Sequence, residues 1–364
     1  MASLADDLKA DPPKKKWKVI YVEGGNYKDY YLVLSGLIHG LKNIGLIDYR
    51  TPPAIMDDGN EDTSQLWSWL SINAVSDRLE FLADGYYSAG WNDQKRLEIK
   101  KEILRRLNDG NDVDLVLTFG TWAGQDLVTD EHQVPVMSIT VTDPVAAGIS
   151  RTETDSGLDH AHVQVENGRN ERQIRIFHDI FKFRRLGVPY DVTPSGQSTM
   201  GVPTIRKMAE ELGFELVPCE TRLEIDDQET SFQNLLDCVS DLSEKSDAIY
   251  LTVNNGMQGD RIERILAPII KARIPSFSQS GSNETELGVL MSLGQDNYND
   301  SSFFEAKVIE AIVNGQMPRQ INQIYEAPLT LALNLKMTLA IGWNPPFEVL
   351  IAMDEIYQNI GNRR

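Results

Sequence analysis

The stretch from Val113 to Gly148 limits what this chain can fold into more than any other. It opens with the apolar run Val113-Asp114-Leu115-Val116-Leu117-Thr118-Phe119, which breaks at Gly120 and gives way to a helical stretch, Thr121 to Val128. A second apolar run, Val134 to Val141, ends at Thr142-Asp143-Pro144. Two short β-rich runs around one helix make a βαβ unit, whose strands are parallel and buried on both faces. Ligands of open parallel sheets gather beyond the carboxyl ends of the strands. Gly120-Thr121 and Thr142-Asp143 stand at two such ends, and they share one rim if the strands are neighbours.

The same alternation runs along the chain. Trp17 to Val22 reads as a strand that stops at Glu23-Gly24-Gly25-Asn26, and Tyr30, Leu34, Leu37, Ile38 and Leu41 then repeat at helical spacing. Residues 51–76 break the rhythm with an acidic loop and a short apolar stretch, Leu66 to Leu70. A strand at Arg78 to Leu82 and a helix at Gln94 to Leu107 lead into the βαβ stretch. Ser150 to Asn167 is polar and reads as a loop and crossover. A second series follows: helix Glu171 to Phe183, strand Arg185 to Tyr190, a Gly/Ser turn at Pro194 to Ser198, and helix Val202 to Leu212. It continues with strand Phe214 to Pro218, helix Thr230 to Ser243, strand Asp247 to Val253, helix Asp260 to Ala272 and strand Ile274 to Ser278. Two such series imply an α/β protein of two doubly wound lobes with parallel sheets. Right-handed crossovers put all the carboxyl ends on one edge of each sheet. Two facing edges make a cleft, the natural place for a ligand.

Length agrees, since 364 residues are long for one core. A formal net charge of −19 argues against nucleic acid and against an anionic membrane surface. No apolar run reaches the roughly 18 residues of a membrane span, so direct insertion is not expected. Residues 1–16 are polar and end in Pro12-Pro13-Lys14-Lys15-Lys16, which reads as a disordered leader. Cys219 and Cys238 make no disulfide framework and read as small buried hydrophobes.

Dinucleotide, P-loop, zincin and nucleophile-elbow motifs are missing, so neither an enzyme nor a cofactor is expected. Asp159-His160-Ala161-His162 gathers three potential ligands, but a zinc site needs three or four in closed geometry, and a solvated loop is the simpler reading. Arg169, Arg172, Arg175, Arg184 and Arg185 read as a solvated helix face and a strand start.

Val141 to Gly148, preceded by Phe119-Gly120-Thr121, resembles the ABC-transporter substrate-binding proteins related to the tryptophan/tyrosine-type binders. Asp247 to Tyr250 with Asn254-Asn255, Glu286 to Gly294, Ala306 to Pro318 with its Asn314-Gly315 turn, and Asn334 to Met337 agree in order and spacing. The similarity spans about residues 17–345. It departs at 55–76, which is long and carries Trp67 and Trp69, and after Gly148, where a glycine-rich turn is missing. The resemblance implies a type I periplasmic-binding-protein architecture whose chain crosses between lobes three times. Lobe 1 then takes 17–148 and 281–320, and lobe 2 takes 149–280 and 321–364. It also implies a periplasmic or extracytoplasmic protein that captures a small polar organic ligand, an amino acid with an aromatic side chain among the candidates. Such a protein closes about a hinge and delivers its ligand to a membrane permease. A ligand-sensing domain that signals to a partner protein is the alternative.

For an amino acid, the helix start at Gly120 and the Thr121 hydroxyl suit a carboxylate, and Asp143, beside Thr142, suits an ammonium. Asn26, Tyr27, Trp122 and Tyr30 would supply walls, and Ser195, Gln197, Asn254, Asn255 and Ser278 to Ser280 would close from lobe 2. Each has a structural competitor. Asp143 before Pro144 can cap a turn, Thr121 can cap a helix, the tryptophans can be core, and Asn254-Asn255-Gly256 can be a turn.

Overall fold

The computed structural model describes residues 15–51, 62–166, 168–257, 261–294, 298–326 and 328–360; most of the expected leader lies outside them. The chain enters on β1 (Trp17–Glu23), whose last five residues are buried. α1 (Lys28–Asn43) buries Leu34, Leu37, Ile38 and Leu41 on one face. Where the sequence showed only a short apolar stretch there is a helix, α2 (Thr63–Asn73). The Asp62 side chain caps it by accepting from the amides of Ser64 and Gln65. β2 (Leu79–Ser88), α3 (Asp93–Arg105), β3 (Leu115–Phe119), α4 (Gly120–Leu127), β4 (Val136–Ile139) and β5 (Ala161–Val163) follow. Among the described residues these strands form one parallel sheet in the order β2-β1-β3-β4-β5. β3 and β4 are adjacent, so Gly120 and Thr142 do stand on one rim.

β6 (Val165–Glu166) leaves this lobe for α5 (Arg169–Phe181), β7 (Arg185–Asp191), α6 (Pro194–Thr199), α7 (Val202–Leu212), β8 (Glu215–Thr221), α8 (Gln228–Lys245), β9 (Ala248–Leu251), α9 (Ile262–Ala272), β10 (Ser276–Ser278), α10 (Ser282–Glu286) and β11 (Met291–Gly294). α11 (Tyr298–Val313) returns to the first lobe, where Ala306, Val308, Ile309 and Ile312 join the core that holds Leu34 and Leu37. β12 (Ile324–Tyr325) pairs with β6, so the third crossing runs beside the first. β13 (Thr330–Asn334), α12 (Leu335–Ile341), α13 (Phe347–Ile351) and β14 (Glu355–Tyr357) complete the second sheet, ordered β14-β13-β11-β10-β9-β7-β8, with β13 antiparallel to β11.

Four expectations change. Sheet membership moves the lobe boundaries: β5 keeps 161–163 in the first sheet, and α10 and β11 stay with the second. The crossings therefore fall at 164–168, 294–298 and 324–330, not after Gly148, Ser280 and Gln320. The stretch 194–198 is a helical turn, begun by Pro194 and capped by Thr193, whose side chain accepts from Gly196 N. Cys219 on β8 and Cys238 on α8 are disulfide-bonded, with Cα atoms 5.7 Å apart. His162 is no solvated-loop residue. It is fully buried on β5 with Nε2 against the Asn322 carbonyl, and burial pushes its pKa down to about 4. Among the described residues no group of three or more His, Cys, Asp or Glu side chains could hold a metal.

Candidate functional site

Between the lobes lies a cavity of about 100 Å³, room for several waters or a small organic group. The first lobe supplies Tyr27, Asp29, Tyr30 and Val33 from the start of α1, Trp91 from the turn after β2, and Thr140 to Thr142 from the end of β4. Gln164 and Glu166 enter from the first crossing, and Ser301 and Glu305 from α11. The second lobe supplies Arg169 and Asn170 from the start of α5, Thr199 and Glu224, and Val253, Asn254, Gln279 and Ser280 from the ends of β9 and β10.

Local sequence explains the aromatic side. Gly24 and Gly25 let the Trp91 indole lie against the backbone; a Cβ at Gly25 would stand 2.5 Å from Trp91 Cδ1. Tyr30 OH occupies the space a Cβ would need at Gly120, whose φ is +81°. Trp91 and Thr140 both hold positive φ, 60° and 59°. Positive φ is uncommon outside glycine and an outlier for a β-branched residue, and such strain gathers at ligand sites.

The polar side is mostly acidic. Arg169 is the one cationic side chain of the lining, and it is engaged: Nη1 meets Glu166 Oε2 at 3.1 Å, and Nη2 donates to the carbonyls of Gln279 and Ser280 at 3.2 Å. Glu224 is 4 % exposed. Burial, with the Asp191 carboxylate nearby, pushes its pKa up to about 7, while hydrogen bonds from Thr199 and Trp122 work the other way. Asp191, at the end of β7, accepts from the amides of Thr193, Leu223 and Glu224, and so fixes the loop that presents Glu224. Glu305 is 1 % exposed, and burial holds its carboxyl well above the ordinary range despite the nearby Gln164 amide.

Around the cavity the lobes touch. Trp122 Nε1 donates to Glu224 Oε2 at 3.2 Å, Ser195 Oγ to Gln125 Oε1 at 3.0 Å, and Thr204 Oγ1 to Asp143 Oδ2 at 3.0 Å. The lobes are closed on each other.

Of the residues expected from the sequence, Tyr27, Tyr30, Thr142, Asn254, Gln279 and Ser280 line the cavity, while Ser278 is buried on β10 and donates to Glu284 Oε2. The others stand elsewhere. Asp143 accepts from Ala146 N through Oδ1 and from Thr204 through Oδ2, so it caps its turn and bridges the lobes. Thr121 is buried beneath the rim, where Tyr30 covers the start of α4. Trp122 is buried and stands behind the wall, meeting the cavity's residues through Glu224 and, edge to face, through Trp91. Asn26 is exposed, and its carbonyl accepts from Trp91 Nε1. Ser195 serves closure, Gln197 Nε2 reaches the Val192 carbonyl at 3.5 Å, and Asn255 begins a 3₁₀ turn. Sequence reasoning missed Arg169, Glu224 and Glu305. Glu305 left a trace: it shares a helical stripe with Ser301, Val308 and Ile312, a charge on a face that is otherwise buried.

Two α/β lobes joined by three crossings and shut over a polar, aromatic-walled cavity define a type I periplasmic-binding-protein fold. A family model described as "ABC transporter substrate binding protein" matches residues 84–356, and the chain belongs to that family. Its members bind small-molecule ligands outside the cytoplasm and typically dock on a membrane permease. Among solved structures, a conserved domain protein from Vibrio cholerae is 20% identical, with a TM-score of 0.69 over 94% of this chain and 100% of that one. An ABC domain in complex with L-Trp from Streptococcus pneumonia is 17% identical, with a TM-score of 0.67 over 94% and 100%. A substrate-binding protein with adhesive properties from Clostridium difficile, ligand-free and open, is 16% identical, with a TM-score of 0.60 over 94% and 100%. No curated protein matches the sequence.

Proposed function

We propose that this chain is the extracytoplasmic solute-binding component of an ABC import system. It captures a small amine-bearing organic molecule, an amino acid or a related amine with an aromatic or apolar part, and presents the closed form to its permease. The observation that carries this reading is the cavity itself, whose walls come from both lobes and from both sides of the hinge. A ligand held there touches surfaces that separate when the lobes part, so it favours the closed form by its differential affinity. Tyr27, Tyr30 and Trp91 suit the apolar part, and Glu224 and Glu305, with Thr142, Asn254 and Ser280, suit the polar end. The Cys219–Cys238 bond fits an oxidising compartment. Binding occurs without turnover.

Mass spectrometry of whatever co-purifies, followed by thermal melts of refolded, ligand-stripped protein against amino acids and amines, tests the reading. A true ligand at one hundred times its Kd adds about 2.7 kcal/mol of stability and is recovered unchanged. No co-purifying compound and no shift across the panel would end the proposal, and recovery of a converted product would replace it with an enzyme.

A further inference from the structure

Three acceptor oxygens of the cavity lining are buried without a hydrogen-bond partner, and several of its donors are engaged within the protein. Asn254 Nδ2 donates to the Thr252 carbonyl at 2.6 Å, and Gln279 Nε2 donates to the Met200 carbonyl and Asn170 Oδ1. Arg169 is held by Glu166 and two carbonyls. Against these, both carboxylate oxygens of Glu305, which stands beside the Gln164 amide, and the Gln164 Oε1 atom are buried with no hydrogen-bond partner. Four carboxylates (Asp29, Glu166, Glu224 and Glu305) face one guanidinium around the lining.

We propose that the cavity selects an organic cation, an ammonium or guanidinium compound without a balancing carboxylate, held by Glu305 with Glu224 and Asp29 against the aromatic wall. The proposal rests on the solute-binding reading and narrows its ligand class. A buried carboxylate must be neutralised or paired, and a buried acceptor without a donor is costly. A cationic N–H donor answers both needs at Glu305, and the faces of Tyr27, Tyr30 and Trp91 add cation–π attraction. A carboxylate on the same guest would enter a cavity of like charge and would compete with Glu166 for Arg169. Burial keeps Glu305 and Glu224 protonated more readily than ordinary carboxylates, so the empty cavity is tolerated and an arriving cation displaces protons.

The test uses two series of ligands that share a skeleton and differ in charge. Tryptamine, L-tryptophan and indole-3-acetate form one; agmatine and 4-guanidinobutanoate form the other. Each is titrated calorimetrically into ligand-stripped protein at pH 8. The expected result is that in at least one series the cation binds tenfold or more tighter than its zwitterion, with no measurable binding of the anion. In the Glu305→Gln variant that preference falls at least tenfold, while the unliganded melting temperature does not drop. A zwitterion or anion that binds as tightly as its cation overturns the proposal and leaves solute binding standing, and an undiminished preference in Glu305→Gln overturns the assignment of Glu305. If none of the five binds, although an unrelated solute shifts the melting temperature, the cation proposal fails alone.

Discussion

Replacing Glu224 by Gln should make this protein more stable at alkaline pH and hardly change it in acid. Glu224 is buried beside Asp191, and its pKa rises from 4.5 to about 7 on folding. Between those values the folded chain binds more protons at this site than the unfolded chain, so stability falls as pH rises through the window. The loss is complete above the folded pKa. A shift of this size corresponds to about 3 kcal/mol. The carboxylate is almost wholly buried, so solvent screening takes little from that figure. Gln keeps the shape and an oxygen for Trp122 Nε1, but carries no charge. For a chain of this length the difference amounts to about 4 °C in melting temperature, if the lobes unfold together. Glu284, pushed up to about 7 by burial, slopes the same way, so the informative quantity is the difference between variant and parent. Thermal melts from pH 4.5 to 8.5 should show that difference growing with pH. A flat difference would refute the claim that Glu224 is a carboxylate charged at a cost.

Three further outcomes follow from named contacts. Ser195→Ala with Thr204→Val removes two hydroxyl bridges between lobes, about 1 kcal/mol each, and should raise the radius of gyration of the unliganded protein in solution scattering; an unchanged radius would deny those bridges a part in closure. Glu23 accepts from Tyr21, Thr63 and Tyr86 under the first sheet's rim, and Glu23→Ala, which removes three hydrogen bonds and leaves Thr63 and Tyr86 only each other, should cost about 3 kcal/mol in urea denaturation. Reducing Cys219–Cys238, which closes a loop with a sequence separation of 19 residues, should lower stability by about 3 kcal/mol, read as a lower urea midpoint with reductant than without.

The fold was legible because β1, β3 and β4 of the first sheet are short apolar runs whose pattern survives without knowledge of their neighbours. Leu115 to Phe119 and Val136 to Ile139, the centres of two apolar runs, are buried at every residue, and the helical spacing from Tyr30 to Leu41 marks the face that packs. Legibility ended where a residue's surroundings come from distant chain. His162 looks solvated in its polar stretch, yet pairing of β5 with β4 and the Asn322 carbonyl bury it. Arg169 belongs by composition to a solvated basic face, and Arg175 does sit there, paired with Glu211 at the surface. Only the αL turn at Gly168 and the ends of β10 bring Arg169 to the cavity.

The same logic explains why the rim was located and its residues were partly misassigned. Strand ends can be read from sequence, so Thr142, Asn254 and Ser280 were found on the cavity wall. What a strand end faces depends on the partner lobe. Asp143 points to Thr204, and Thr121 is buried next to Gly120, which Tyr30 covers, while charges that do face the cavity come from a crossing segment, a loop fixed by Asp191 and a helix returning from the other lobe. On the proposed hinge mechanism the site is drawn from both lobes, and so from segments far apart in the chain. The residues that couple ligand to closure are therefore those that local sequence pattern says least about.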